Sequence, residues 1–177
     1  QDVAFFSVLY DYASKNNIKY ILTGGNFSTE CVREPIEWGS YYATDVTFVK
    51  DVHRKNGMKP LNKFPLTDIL KYKIYYRYVK GIKVVKPLDF IPYFRDAAIK
   101  ELHDKFGWQP YKHKHHESYF TRFFETYWLP EKFGYDKRRA HFSSLILTGQ
   151  MSRDEALRRI AVPEVDEETL EYDKNFV

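Results

Sequence analysis

Cysteine is nearly absent. Cys31 stands alone among 177 residues, so neither an internal disulfide framework nor a multi-cysteine metal site can be built. No apolar run approaches the roughly 20 residues needed to cross a bilayer, and no charge-headed apolar segment resembles a signal peptide. Internal repeats and low-complexity tracts are missing too. Charged residues at 29% and apolar ones at 44% exclude wholesale disorder and collagen-like structure. The length suits one or two ordinary domains, and the cytoplasm is the expected compartment.

Aromatic residues are abundant at 18%, with 15 Tyr, 14 Phe and 3 Trp. Side chains this large fill cores, although tyrosines also line sites for sugars and bases. Charge is unevenly spread. Residues 1–60 carry 7 basic and 7 acidic side chains, residues 61–160 carry 20 and 11, and residues 161–177 carry 1 and 6. A basic middle suits an anionic ligand, and it equally suits a solvated lysine-rich surface.

The chain opens directly into a helical pattern of Phe5, Phe6, Leu9, Tyr10 and Ala13, interrupted at Asn16-Asn17. Ile18 to Leu22 reads as a short buried strand broken by Thr23-Gly24-Gly25-Asn26. Helix, strand and glycine turn in this order belong to an α/β sheet. A domain seldom begins on such a helix without a preceding strand, so the sequence reads as a piece of a longer protein. Helices are predicted over Tyr42 to Asn56 with Gly57 as the stop, and along Leu66, Leu70, Ile74 and Tyr78 to Gly81. Ile82 to Val85 is a second strand, and Phe94, Ala98, Leu102 and Phe106 mark a helix ending at Gly107. Tyr119, Phe120, Phe123, Phe124, Tyr127 and Trp128 form an aromatic helical face before Pro130, which reads as core rather than a binding platform. Ser152 and Glu155 make a capping box for a helix to Ile160, and the acidic residues after Pro163 read as a loosely docked tail.

Three stretches could carry chemistry. At the carboxyl end of a strand, Gly24 and Gly25 would let backbone approach a ligand and permit positive φ, with Glu30 beyond; Gly-Gly is also simply a turn. Lys112-His113-Lys114-His115-His116-Glu117, followed by Thr121 and Arg122, holds metal-ligand residue types. Adjacent His115 and His116 point apart in regular structure, which favours an anion-binding or acid–base role for His116, Glu117 and Arg122. Glu117 could equally serve a helix start. The third is Asp136-Lys137-Arg138-Arg139 with His141, Ser143 and Ser144, where cations offer donors to phosphate or carboxylate or lie on an exposed helix start.

Together these stretches resemble the N-acetyl sugar amidotransferases of the PP-loop ATP pyrophosphatase superfamily. The resemblance rests on Thr23 to Glu30, Glu37-Trp38-Gly39, Phe106-Gly107-Trp108, His116-Glu117-Ser118 and Thr121-Arg122-Phe123. It continues through Phe133 to Arg138, His141 to Ser144 and Gly149 to Ala156, so that it spans about Phe5 to Ile160. It implies an α/β fold: a mostly helical fragment with the last strands of a parallel, Rossmann-like (adenine nucleotide alpha hydrolase-like) sheet, then a helical C-terminal region. The implied divisions are 1–90 for the α/β part, 91–162 for a helical substrate-binding region and 163–177 for the acidic tail. The implied activity converts a sugar acetamido group to an acetamidino group in lipopolysaccharide, O-antigen or related glycan biosynthesis. ATP with Mg2+ activates the amide, and a glutaminase partner supplies ammonia.

The superfamily's Ser-Gly-Gly-x-Asp-Ser phosphate loop is absent here, which marks the chain as the carboxyl-terminal portion, inactive alone. By resemblance Thr23, Gly24, Gly25 and Asn26 border the nucleotide, Glu30 helps hold magnesium, and Lys86 lies near the phosphates. Asn26, His116, Glu117 and Arg122 carry the catalytic expectation, while Lys137, Arg138 and His141 meet a UDP-linked or acidic acetamido sugar. Membrane insertion is not expected. A tRNA-modifying relative or an RNA-binding helical module is the alternative, and a scaffold that docks the glutaminase is a third.

Overall fold

A computed structural model of the chain describes residues 2–38, 45–109 and 116–177. It is mostly helical, and its described residues form one two-stranded parallel sheet. No helix among them is long and apolar enough to cross a membrane. Two compact units divide the chain: Gln1–Gly24 with Gly39–Pro87, and Gly25–Trp38 with Leu88–Val177. The second unit thus takes in residues 25–38, which the expected 1–90 division assigned to the first part.

In the first unit, α1 (Asp2–Lys15) ends where Asn17 adopts φ +55°, a left-handed turn that asparagine tolerates, as the Asn16-Asn17 break predicted. β1 (Tyr20–Leu22) and, further on, β2 (Lys83–Val85) pair in parallel with Tyr20 opposite Lys83. The Thr23 N–H extends the ladder by donating to Val85 O at 3.0 Å. Tyr10 and Ala13 of α1 pack with Tyr76 and Ile82, flanked by Phe6, Ile21 and Tyr72. Phe5 and Leu9, predicted on the same face, are exposed.

The next helix along the chain, α2 (Phe27–Glu30), belongs to the second unit, and α3 (Val46–Asn56) belongs to the first. Asp45 caps α3 by accepting from the Phe48 N–H at 2.9 Å. Residues 42–44 of the predicted helix lie outside the described residues. A π-helix spans Lys71–Val79, its end marked by Lys80 N–H donating to Tyr75 O. The stripe keeps to one face, but that face meets solvent: Leu70, Ile74 and Tyr78 are exposed, and Tyr76 is fully buried instead. Its hydroxyl donates to Asp11 Oδ1 at 2.5 Å, beside Lys71 Nζ at 2.9 Å. Burial alone would raise the Asp11 pKa, but these two donors outweigh it and hold the carboxylate below its ordinary range.

The second unit continues with α4 (Arg95–Phe106), which ends at left-handed Gly107 as the pattern predicted. Next come α5 (Tyr119–Phe123), a π-segment (Phe124–Trp128) and α6 (Leu129–Phe133). The helix runs on past Pro130: the i→i+5 bond from Leu129 N–H to Phe124 O places the proline in the first turn of α6, where it is tolerated. Gly134, at φ +71°, then turns the chain sharply toward α7 (Arg138–Leu147). A side chain there would be strained. Ser152 caps α8 (Arg153–Ile160) by accepting from Glu155 N–H at 3.1 Å, as predicted. Phe142, Leu145 and Ala156 form the core between α7 and α8.

The acidic segment is not a loose tail. Asp166 caps α9 (Glu167–Phe176), and Glu167 and Glu168 sit in its first turn, where negative charge complements the helix dipole. Asp173 of α9 is fully buried, and Tyr119 of α5 packs against Tyr172 and Phe176.

Candidate functional site

The second unit holds a cleft of about 490 Å3, within the roughly 300–1,000 Å3 typical of small-molecule sites. Its walls come from α2 and the turn after it, the start of α7, and the end of α8 with the following turn. Asn26 begins this construction. It is buried and caps α2, its side-chain oxygen accepting from the Thr29 N–H at 2.9 Å and the Thr29 hydroxyl at 3.1 Å. The α2 segment is held to α7 by the Thr148 hydroxyl donating to Ser28 O at 2.7 Å and by Val32 N–H donating to Ser144 Oγ at 3.0 Å. Asn26 therefore shapes one wall through the backbone. Asn26→Ala is expected to lower stability by about 1 kcal/mol, the usual cost of a lost N-cap, and a thermal melt checks this.

On the opposite wall Lys137 Nζ lies between Glu125 at 3.0 Å and Glu34 at 3.2 Å. Burial alone would lower its pKa, but the two carboxylates outweigh it and hold the ammonium charged. Arg138 is committed still more fully. Nε donates to Asp136 Oδ1 at 3.0 Å, one terminal nitrogen donates to Asp136 Oδ2 at 2.7 Å and to Ile160 O at 3.2 Å, and the other donates to Arg159 O and Val162 O. A guanidinium has five N–H donors, and all five are occupied. Arg138 thereby satisfies the terminal carbonyls of α8 and ties them to the start of α7.

The cleft was expected to be cationic. Its lining instead sets Glu30, Glu34, Glu125, Asp136, Glu155 and Glu164 against Arg95, Lys137, Arg138, Arg158 and Arg159, with His141 among them. Lys137 is compensated by Glu34 and Glu125 from distant segments, while Arg138, Arg158 and Arg159 are compensated by their sequence neighbours Asp136 and Glu155. His141 and Glu30 line the same cleft as Lys137 and Arg138, so four of the expected site residues converge. His116 approaches through Glu164, its Nε2 lying 3.9 Å from Glu164 Oε2.

The other expected residues fall elsewhere. Glu117 is exposed in the turn before Ser118, which caps α5. Arg122 does not line the cleft; its Nε donates to Asp173 Oδ2 at 2.7 Å and a terminal nitrogen to Oδ1 at 2.5 Å. Thr23, Gly24 and exposed Lys86 belong to the first unit. The glycine pair does not provide the expected positive φ, which occurs at Gly81, Gly107, Gly134 and Gly149, and a Cβ on Gly24 would meet no heavy atom within 4 Å. Gly25 leads into the Asn26 cap. The predicted cluster from Lys112 to His115 lies outside the described residues.

Glu34, Glu125 and Glu164 were missed by the sequence reading. For Glu164 the available signal was charge complementarity, since residues 161–177 are acidic where the middle is basic; no such signal marked Glu34 or Glu125. Burial pushes the Glu164 carboxyl above the ordinary carboxylate range; Asp136 and Glu125 push it further, and Arg138 and Arg159 pull it back. Among the described residues no group of three or more His, Cys, Asp or Glu side chains could hold a metal ion. Glu30 stands in no such set among the described residues.

Residues 117–177, about a third of the chain, match a family described as LPS biosynthesis protein WbpG-like, C-terminal domain. No curated protein and no solved structure matches the chain. The matched stretch contains Glu125, Asp136, Lys137, Arg138, His141, Glu155, Arg158, Arg159 and Glu164, most of the charged lining of the cleft.

Proposed function

We propose that this chain is the acceptor-holding portion of an ATP-dependent amidotransferase acting in lipopolysaccharide or O-antigen biosynthesis. In this reading a sugar acetamido group becomes an acetamidino group, with ammonia supplied by a glutaminase partner. One observation carries it: the stretch that matches the WbpG-like lipopolysaccharide domain is the stretch that builds the charged side of the cleft. The amidotransferase step itself is supported by the sequence resemblance across Thr23 to Glu30 and the motifs that follow.

An amide carbonyl is a poor electrophile, and its oxygen a poor leaving group. ATP supplies the activation: the amide oxygen takes the adenylyl group and pyrophosphate leaves. Ammonia then forms the new C–N bond, and the C–O bond breaks with its electron pair departing on AMP. This chain's contribution is to hold the sugar in a walled, charge-compensated cleft in which the activated carbon meets nitrogen rather than bulk water. Compensated charge suits this task. The acceptor is a neutral amide and the product is a cationic amidine, so an uncompensated cationic site would oppose the developing charge.

The test is isotopic. The complete enzyme is supplied with ATP, a UDP-linked acetamido sugar and amide-15N glutamine with the glutaminase. Product containing 15N in place of the acetamido oxygen, with one AMP and one pyrophosphate per turnover, is the expected outcome. Product lacking 15N, or none at all, removes the reading. An RNA-binding role would instead appear as tRNA affinity falling steeply with salt. The pairing of Lys137 and Arg138 with carboxylates works against that role.

A further inference from the structure

Glu164 is a carboxyl in the cleft that the chemistry above does not use. It follows Pro163 in the turn beyond α8, and its side chain is 20% exposed. The His116 ring, 11% exposed, approaches from the turn before α5. Arg138 acts on Glu164 through space, since its five donors already point at Asp136 and the α8 carbonyls. Asp136, Glu125 and Arg159 face the same carboxyl from the loop before α7, the π-segment and α8. A carboxyl partly withdrawn from water, beside an imidazole and opening on a small-molecule cleft, is placed for proton transfer.

We propose that Glu164 accepts the proton released when a nitrogen nucleophile attacks in the cleft, with His116 as the positioning residue that holds it there. The inference deepens the amidotransferase reading and rests on it. Ammonia's lone pair forms the C–N bond and leaves the nitrogen cationic. One N–H proton passes to the Glu164 carboxylate, which prevents simple reversal. The C–O bond then breaks, and its electron pair leaves on AMP. Because the sugar nitrogen keeps its own proton throughout, expulsion of AMP leaves the product directly as an amidinium, and Glu164 passes the proton it took to water at the cleft mouth and is ionised again. A carboxyl held toward its protonated form is a better match to this proton than an ordinary surface glutamate. The surplus of carboxylates around it also favours the cationic product.

The experiment uses the complete enzyme with ammonium chloride as the nitrogen source, following pyrophosphate release and amidine formation separately across pH. Wild type is expected to show an acid limb in amidine formation. Glu164→Gln should lower amidine formation by about tenfold or more and remove that limb, while pyrophosphate release continues. Glu164→Asp should retain part of the rate, and His116→Asn should displace the limb without abolishing it. Wild-type amidine formation in Glu164→Gln, with an unchanged acid limb, overturns the inference and leaves the amidotransferase reading standing. Parallel loss of both half-reactions with a lowered melting temperature also overturns it, because that pattern is structural. A wild-type enzyme that makes neither pyrophosphate nor amidine removes the underlying reading and the inference with it.

Discussion

Arg122→Ala is expected to lower the melting temperature by on the order of 10 °C. Asp173 is fully buried, and Arg122 meets it with two nitrogens at 2.7 and 2.5 Å. Removing one member of a buried pair leaves an uncompensated charge, typically at a cost of about 3–5 kcal/mol. In a chain of this size each kcal/mol shifts the midpoint by roughly 2–4 °C. The loss should begin at α9, which is otherwise held by ring contacts of Tyr172 and Phe176 with Tyr119 and by Lys174 over the Tyr127 ring. Limited proteolysis should therefore open residues 166–177 first. The paired change Arg122→Met with Asp173→Leu removes both charges and should recover most of the stability. An unchanged melting temperature in Arg122→Ala would refute the clamp and return the residue to the substrate role its motif implies.

Arg138→Lys keeps the positive charge and loses the planar fork. Lysine brings three donors from a single nitrogen, so it cannot serve Asp136 together with the carbonyls of Arg159, Ile160 and Val162. The expected cost is about 2–4 kcal/mol, read from urea unfolding, because charge-assisted bonds are lost and α8 carbonyls are left unsatisfied. Asp136 also keeps its hydrogen bond from the Arg138 backbone N–H at 3.0 Å, so the start of α7 should survive while the joint to α8 loosens. If Arg138 gripped a sugar acid by charge, the lysine variant would hold its stability and lose only affinity. That outcome would show that the five-donor clamp is not what the residue is for.

Much of the fold was legible because it rests on local chemistry. Ser152 with Glu155 marked the start of α8, Gly107 the end of α4 and Asn16-Asn17 the end of α1, each through a cap or turn whose partners lie within a few residues. The apolar runs Ile18 to Leu22 and Ile82 to Val85 identified the two strands. What misled was periodicity. The stripe from Leu66 to Tyr78 marked a helical face, whereas in the π-helix at Lys71–Val79 that face meets solvent and Tyr76, off the stripe, is buried. The same widening at Phe124–Trp128 carried a helix past Pro130. Nothing in a single turn of sequence announces an i→i+5 bond, because its stability comes from what the wider turn packs against.

The site followed the same division. Lys137, Arg138 and His141 were recognisable as a cluster, since neighbours in sequence remain neighbours on a helix. Whether they were available to a ligand was not recognisable. Residue types and their order determined by themselves where capped helices such as α8 and α4 begin or end, which two segments are strands, and that one stretch is rich in cations. Only the tertiary structure decided which of those cations are compensated. Coulomb attraction depends on distance in space, and Glu34 reaches Lys137, Asp173 reaches Arg122, and Glu164 reaches His116 across separations that no local pattern encodes.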